Sequence, residues 1–149
     1  MDQAHNKLDY SYIDAGIYIG TNQCCQTHFD QELTKEGVSA DISLEEERLD
    51  QPFGVEFYAW IPVKDHEAPS QDQLKLGVAV LENLIGLKKK VYVHCKNGHG
   101  RAPTLVAAYF IKQGKSFEEV EKIIKAKRPS IHLQDSQRKA LRIFAKNTP

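Results

Sequence analysis

Val91-Tyr92-Val93-His94-Cys95-Lys96-Asn97-Gly98-His99-Gly100-Arg101-Ala102-Pro103-Thr104 decides how the chain is read. Its first residues are β-branched or aromatic, as in a buried strand. Glycines then punctuate a short loop, and Pro103 falls where the first turn of a following helix tolerates a missing N–H. The strand therefore delivers Cys95 to the mouth of the fold. The five residues between Cys95 and Arg101 are enough to wrap once around a tetrahedral anion. Backbone amides that converge ahead of a helix N-terminus favour negative charge, through unsatisfied donors and the helix dipole. The same field favours thiolate over thiol at Cys95, which is the nucleophilic form. Gly98 and Gly100 lack a Cβ, so the backbone can take positive φ and approach a ligand closely. Arg101 supplies a planar fork suited to two phosphoryl oxygens, a geometry that a lysine point charge does not match. His94 is expected to hold the loop through a hydrogen bond, ahead of any general-base role.

His-Cys, five residues and Arg resembles the motif of the cysteine-dependent protein tyrosine phosphatase superfamily, and the surrounding chain is similar to its small dual-specificity branch. Asp14-Ala15-Gly16-Ile17-Tyr18-Ile19-Gly20 resembles the opening strand of that branch. Trp60-Ile61-Pro62-Val63-Lys64-Asp65 is similar to the segment ending in its general acid, and Arg128-Pro129-Ser130-Ile131 to the arginine-proline stretch before its last helix. The resemblance implies an α/β fold with a central, mostly parallel twisted sheet flanked by helices. The phosphate-binding loop would lie between a central strand and a buried helix. It also implies phosphoryl transfer to Cys95 with no metal or other cofactor, the loop amides and Arg101 holding the equatorial oxygens.

Such chemistry needs an acid, because the departing oxygen must be protonated as the phosphorus–oxygen bond breaks. Asp65 is the candidate. It follows the apolar run Phe57-Tyr58-Ala59-Trp60-Ile61 and opens the loop Asp65-His66-Glu67-Ala68-Pro69, of a kind that closes over substrates. Glu67 and His66 are its rivals, and a solvated turn is the plain alternative. Cys95, Arg101 and Asp65 thus form the candidate catalytic set. Lys96, Asn97, Gly98, His99, Gly100 and Arg101 are the candidate substrate-binding residues.

Composition narrows the field only a little. One domain spanning residues 1–149 is of ordinary size and long enough to bury a core. Twenty basic and twenty acidic residues cancel, so no global field draws the chain to nucleic acid or an anionic membrane, and anion recognition has to be local. No apolar run reaches membrane length, and Met1 to Lys7 lack a signal-peptide core, so a cytoplasmic location and a monomer are the defaults. Three cysteines are too few for a disulfide framework. Cys24 and Cys25 read as ordinary thiols, with a resolving role toward oxidised Cys95 as the lesser reading.

Strand and helix periods alternate along the chain. Ile17 to Ile19 and Val38 to Ile42 read as strands around a short helix near Phe29 to Leu33, with Gly37 as its stop. Glu45 to Arg48 reads as a solvated charged turn. Ser70 with Gln73, and Ser116 with Glu119, form capping boxes for two helices, and Leu133 to Phe144 makes the last one. Lys88-Lys89-Lys90 complements the end of the first of these.

Substrate class divides the readings that remain. Phosphotyrosine and phosphoserine or phosphothreonine proteins come first. A phosphoinositide, a phosphoglucan or an RNA end would use the same chemistry, and Lys96 and His99 resemble the basic loop residues of lipid-directed relatives. A rhodanese-like sulfurtransferase or arsenate reductase would not require Asp65, and a non-catalytic phospho-binding module would not need to retain all three candidate catalytic residues.

The resembled family usually carries Ser or Thr after the arginine, where the hydroxyl stabilises the departing thiolate; here the residue is Ala102. Breakdown of a phosphocysteine is therefore expected to be slow, and Ala102→Ser to raise turnover. Rapid-quench kinetics check this: a burst followed by a slow steady state supports the reading, whereas no burst and no gain in the variant remove it.

Overall fold

A computed structural model of the chain describes residues 8–23 and 27–148, so the readings made for Cys24 and Cys25 lie outside the described residues. Among the described residues five strands form one sheet: β1 (Tyr10–Asp14), β2 (Ile17–Gly20), β3 (Val38–Glu45), β4 (Phe57–Val63) and β5 (Lys90–His94). They lie in the order β1-β2-β5-β3-β4. Only β1 and β2 pair antiparallel; β5 runs parallel to both β2 and β3, and β3 parallel to β4. The expected mostly parallel α/β sheet is what the chain forms, with β5 at its centre.

The described residues also form five helices: α1 (Gln31–Lys35), α2 (Gln71–Gly86), α3 (Arg101–Lys112), α4 (Phe117–Lys127) and α5 (Asp135–Lys146). Both expected capping boxes are present, Ser70 with Gln73 at α2 and Ser116 with Glu119 at α4. The side-chain alternation of β5 splits the interior in two. Val91 and Val93 face the main core with Leu105, Leu74 and Leu141, whereas Tyr92 faces a smaller core with Phe29 and Leu33 of the α1 side. Helix α3 is buried from Arg101 to Ile111, the central position expected of it. At Gly77 of α2 an added Cβ would lie 2.6 Å from Leu105 Cδ1, so glycine lets α2 approach α3. The lysines after α2 act singly: Lys88 turns the chain at φ +66°, Lys89 pairs with Glu56 at 2.9 Å, and Lys90 donates to the Glu36 carbonyl at 2.8 Å.

The same alternation sends Cys95 toward α3 and His94 to the opposite face of the sheet. There His94 meets carboxylates and not the loop backbone expected of it. Its ring is fully buried, with Nε2 3.0 Å from Asp41 Oδ1 and 3.9 Å from Asp50 Oδ2. The segment Glu45 to Arg48 is a solvated turn at Glu46 and Glu47, which are exposed, but not at its two ends. Glu45 ends β3, is 2% exposed and accepts from Asn22 Nδ2 at 2.9 Å, while Arg48 Nε donates to Asp50 Oδ1 at 2.8 Å. A charge-rich tetrapeptide looks solvated in sequence, but this one folds back over the carboxyl ends of the strands, where cations wait for partners.

Burial alone would push the His94 imidazole down, yet Asp41, Asp50 and Glu45 together hold it above its ordinary value. Burial raises the Glu45 and Asp50 carboxyls, against the opposing pull of Asn22 and Arg48 respectively. Each of the three groups binds its proton more tightly folded than unfolded. Their stabilisation is complete below the unfolded values and is lost as pH rises through the raised folded ones. The thermal midpoint is therefore expected to fall as pH rises from the ordinary carboxylate range to above the ordinary imidazole range, where the two raised carboxyls and His94 discharge. His94→Asn should flatten that slope. Melting curves across the interval check it, and a midpoint that climbs with pH would contradict the assignment.

Candidate active site

A loop can point its amides inward only if its carbonyls point outward and find donors there. Between Cys95 and α3 every carbonyl does so. The Lys96 carbonyl accepts from the Asn22 amide at 3.2 Å, and that of His99 from the His132 amide at 2.7 Å. Arg128 takes the next two, its Nη2 donating to the Asn97 carbonyl at 3.1 Å and its Nε to the Gly98 carbonyl at 3.0 Å. The Gly100 carbonyl receives both the amide and the hydroxyl of Thr104, at 2.9 and 2.7 Å. Helix α3 has no side-chain cap, unlike α2 and α4, so its first-turn donors are left for whatever occupies the loop.

The two glycines serve different ends. Gly98 adopts φ +69°, and a Cβ there would lie 2.7 Å from the Gly20 carbonyl oxygen and 2.8 Å from Arg128 Nη2. Gly100 does not take the expected positive φ; its φ is −136°. Its Cβ would instead meet Gln137 Oε1 at 2.8 Å, so the space it leaves is taken by a buried side chain of α5.

The cavity at the mouth of this loop is lined by Asp65, His66, Cys95, Asn97, His99, Gly100, Arg101, His132, Gln134 and Gln137. Of the candidate residues read from sequence, Cys95, Arg101, Asp65, Asn97, His99 and Gly100 are thus brought together. Lys96 and Gly98 are not among the lining: Lys96 is exposed beside the loop, and Gly98 is turned toward Arg128. Glu67, a rival for the acid, is absent from the lining too, and its carbonyl accepts from Gln137 Nε2 at 3.1 Å. His66, the other rival, lies in the lining with φ +69° and its Nε2 3.7 Å from Asp65 Oδ2.

Arg101 is buried, and its fork is already held. Nη1 donates to Glu47 Oε1 at 2.8 Å and to the Val63 carbonyl at 2.8 Å, and Nη2 donates to Glu47 Oε2 at 3.0 Å. Asp65 Oδ1 stands 3.4 Å from Nη2. Hydrogen bonds from Arg101 hold the Glu47 carboxyl below its ordinary value, outweighing the upward push of burial. None of these bonds uses Nε. The guanidinium is therefore oriented by Glu47 and Val63 and placed beside the carboxylate that would serve as acid.

Four contributors escaped the sequence reading. Glu47 was assigned to a solvated turn, Arg128 figured only as part of an arginine-proline stretch, Gln137 only as a position within the last helix, and His132 was not singled out. The one usable signal was arithmetic: a loop with five outward carbonyls needs outside donors, and an arginine ending one helix before the next is a candidate for two of them.

Comparison with known proteins agrees with this geometry. A family model described as "Tc-R-P: Polymorphic toxin system, DSP-PTPase phosphatase" matches residues 15–115, well over half of the chain. The chain is 40% identical over 79 residues to the phosphatidylglycerophosphatase and protein-tyrosine phosphatase 1 of Homo sapiens, a match covering 52% of the chain and 39% of that protein. It is 37% identical over 92 residues to the phosphatidylglycerophosphate phosphatase PTPMT2 of Arabidopsis thaliana, covering 58% of the chain and 39% of the relative. The chain thus spans about two fifths of the length of these relatives. Among solved structures, PTPMT1 in complex with PI(5)P superposes with a TM-score of 0.78 at 28% identity, over 93% of this chain and 96% of that one. No helix among the described residues is long and apolar enough to cross a membrane. With a loop of inward amides ahead of α3, a cysteine at its start, an arginine at its end and a matching family model, the chain belongs to the DSP-PTPase phosphatase family of the Tc-R-P type.

Proposed function

We propose that the chain hydrolyses phosphate monoesters through a phosphocysteine on Cys95, and that its substrate is the terminal phosphate of a phospholipid headgroup. One observation carries the chemistry: all five loop carbonyls are bonded outward, which leaves the amides for the equatorial oxygens of a phosphoryl group. In the first step Cys95 Sγ forms a bond to phosphorus while the phosphorus–oxygen ester bond breaks, and Asp65 gives its proton to the departing oxygen. In the second, Asp65 takes a proton from water, the hydroxyl bonds to phosphorus, and the sulfur leaves as thiolate. Arg101 faces the charge that builds in both steps, its guanidinium oriented by the bonds to Glu47.

The lipid reading is supported by relatives named for phosphatidylglycerophosphate, at 37% and 40% identity, and by a neighbour solved with PI(5)P at 28%. A phosphotyrosine or phosphoserine protein is the second reading, favoured by the protein-tyrosine phosphatase in the human relative's name. A reducing, cytoplasmic setting suits either, since the mechanism needs Cys95 as a free thiol.

Cys95→Ser is expected to abolish turnover of phenyl phosphate and of phosphatidylglycerophosphate alike. Asp65→Asn should slow the alkyl ester by about 10²-fold or more and the aryl ester much less, because phenolate leaves without full protonation. Steady-state assays on both substrates, with phosphotyrosine and phosphoserine peptides alongside, check this. Turnover that survives in Cys95→Ser would falsify the covalent scheme, and a peptide preferred over the lipid would transfer the substrate to the second reading.

A further inference from the structure

The cavity lining carries a charge problem that the mechanism does not solve. Arg101 is its only lysine or arginine, and that guanidinium already faces two carboxylates, Glu47 in a bidentate pair and Asp65 at 3.4 Å. Loop amides can hold one phosphoryl group, and within the lining no second lysine or arginine serves anything beyond it, Lys96 being exposed beside the loop and outside the lining. What the lining has instead is imidazole: of six histidines in the chain, His66, His99 and His132 border this one cavity.

These three are not equivalent. His66 is engaged, with Nε2 3.7 Å from Asp65 Oδ2 and Nδ1 3.4 Å from Gln134 Nε2, so it belongs to the acid loop. Among the described residues the ring nitrogens of His99 and His132 have no hydrogen-bond partner. Both rings are exposed at the cavity, and the two residues are locked side by side by the bond from the His132 amide to the His99 carbonyl at 2.7 Å. That backbone bond is required anyway to turn the loop carbonyl outward, so the pair is positioned by the same constraint that builds the phosphoryl site. The rest of the lining is polar: Asn97, Gln134 and Gln137 stand where an aromatic substrate ring would need apolar walls, and no large aliphatic or aromatic side chain borders the cavity.

We infer that His99 and His132 form a second anion-binding rim, and that the substrate class is a phosphomonoester carrying a second phosphate or phosphodiester on its alcohol side. The inference rests on the phosphomonoesterase reading above and deepens it. The phosphoryl group to be cleaved sits on the loop amides, its ester oxygen faces Asp65, and the alcohol leaves the cavity past the two imidazoles. Each imidazole offers an N–H to the second anion, and the bond becomes charge-assisted when the ring is protonated. His132 is on this account a specificity residue; it touches neither phosphorus nor the leaving oxygen.

The test compares three substrates that share an alkyl leaving group: glycerol 3-phosphate, glycerol 1,3-bisphosphate, and phosphatidylglycerophosphate in mixed micelles. In the unaltered chain kcat/KM for the bisphosphate is expected to exceed that for the monophosphate by about tenfold or more, the size of one or two charge-assisted hydrogen bonds. His99→Gln with His132→Gln should lower that ratio by about tenfold, mainly through KM for the doubly charged substrate, and His99→Lys with His132→Lys should restore it. Equal effects on the soluble bisphosphate and the micellar lipid assign the rim to the second phosphate itself. An effect confined to the micelle assigns it to the phosphodiester of a lipid headgroup. A glutamine pair that moves neither the bisphosphate ratio nor kcat/KM for the micellar lipid overturns the inference, as does a phosphotyrosine peptide outrunning both doubly charged substrates. Failure of the underlying reading looks different: Cys95→Ser would then leave turnover intact on every substrate, whatever the ratio.

Discussion

Arg128 is the interaction on which the site depends. A phosphate cradle made of amides exposes a row of carbonyls on its outer side, and in a packed fold those carbonyls cannot be left to water. Arg128 takes two of them with one buried guanidinium, and uses its remaining Nη1 on Ser11 Oγ at 3.1 Å and Asp9 Oδ1 at 3.5 Å. Burying such a charge costs several kcal/mol unless its donors are satisfied, and here all three nitrogens are. Lysine, with one compact ammonium, could not span Asn97, Gly98 and Ser11 at once. The arginine also ties the end of α4 to β1, so the loop is braced by elements from both ends of the chain.

The sheet explains why the loop lies where it does. β5 runs between β2 and β3, and the chain leaves its carboxyl end into the loop and then into α3 on one face. Open α/β sheets bind ligands at such ends. Period-two alternation then separates two chemistries across a single peptide bond. Cys95 is directed to the α3 side, beneath the helix terminus, and His94 to the opposite side, among Asp41, Glu45 and Asp50. An imidazole buried among carboxylates on that face is not placed to serve the cavity as a base.

How much of this was legible depended on sequence distance. The strand, loop and buried helix around Cys95 were legible because their signals are local: β-branched residues, glycines, a proline in the first turn. The capping boxes at Ser70 and Ser116 were legible for the same reason. Glu47 was not, because a run of like charges reads as solvated unless the cation it will meet, 54 residues further along, is known to be buried. Arg128 and His132 reach the loop through folding of α4 and α5, and nothing in their own neighbourhood announces it. Lys96 and Gly98 are a different case. Neither lines the cavity, so what the loop reading leaves them to offer a ligand is the backbone amide.

The state of Arg101 adds a last step. Its two terminal nitrogens are taken by Glu47 and Val63, and the bonds to Glu47 hold that carboxyl below its ordinary value. An arriving phosphate dianion therefore meets the loop amides first, since they are uncommitted and need no partner displaced. Only Nε of Arg101 is available without competition, and recruitment of Nη2 means weakening its bonds to Glu47 and its contact with Asp65. On the proposed mechanism, loosening that contact would free Asp65 from a cation as the ester oxygen arrives beside it. The guanidinium would then couple occupancy of the cradle to release of the acid, because one buried cation is shared among more anions than it can satisfy at once.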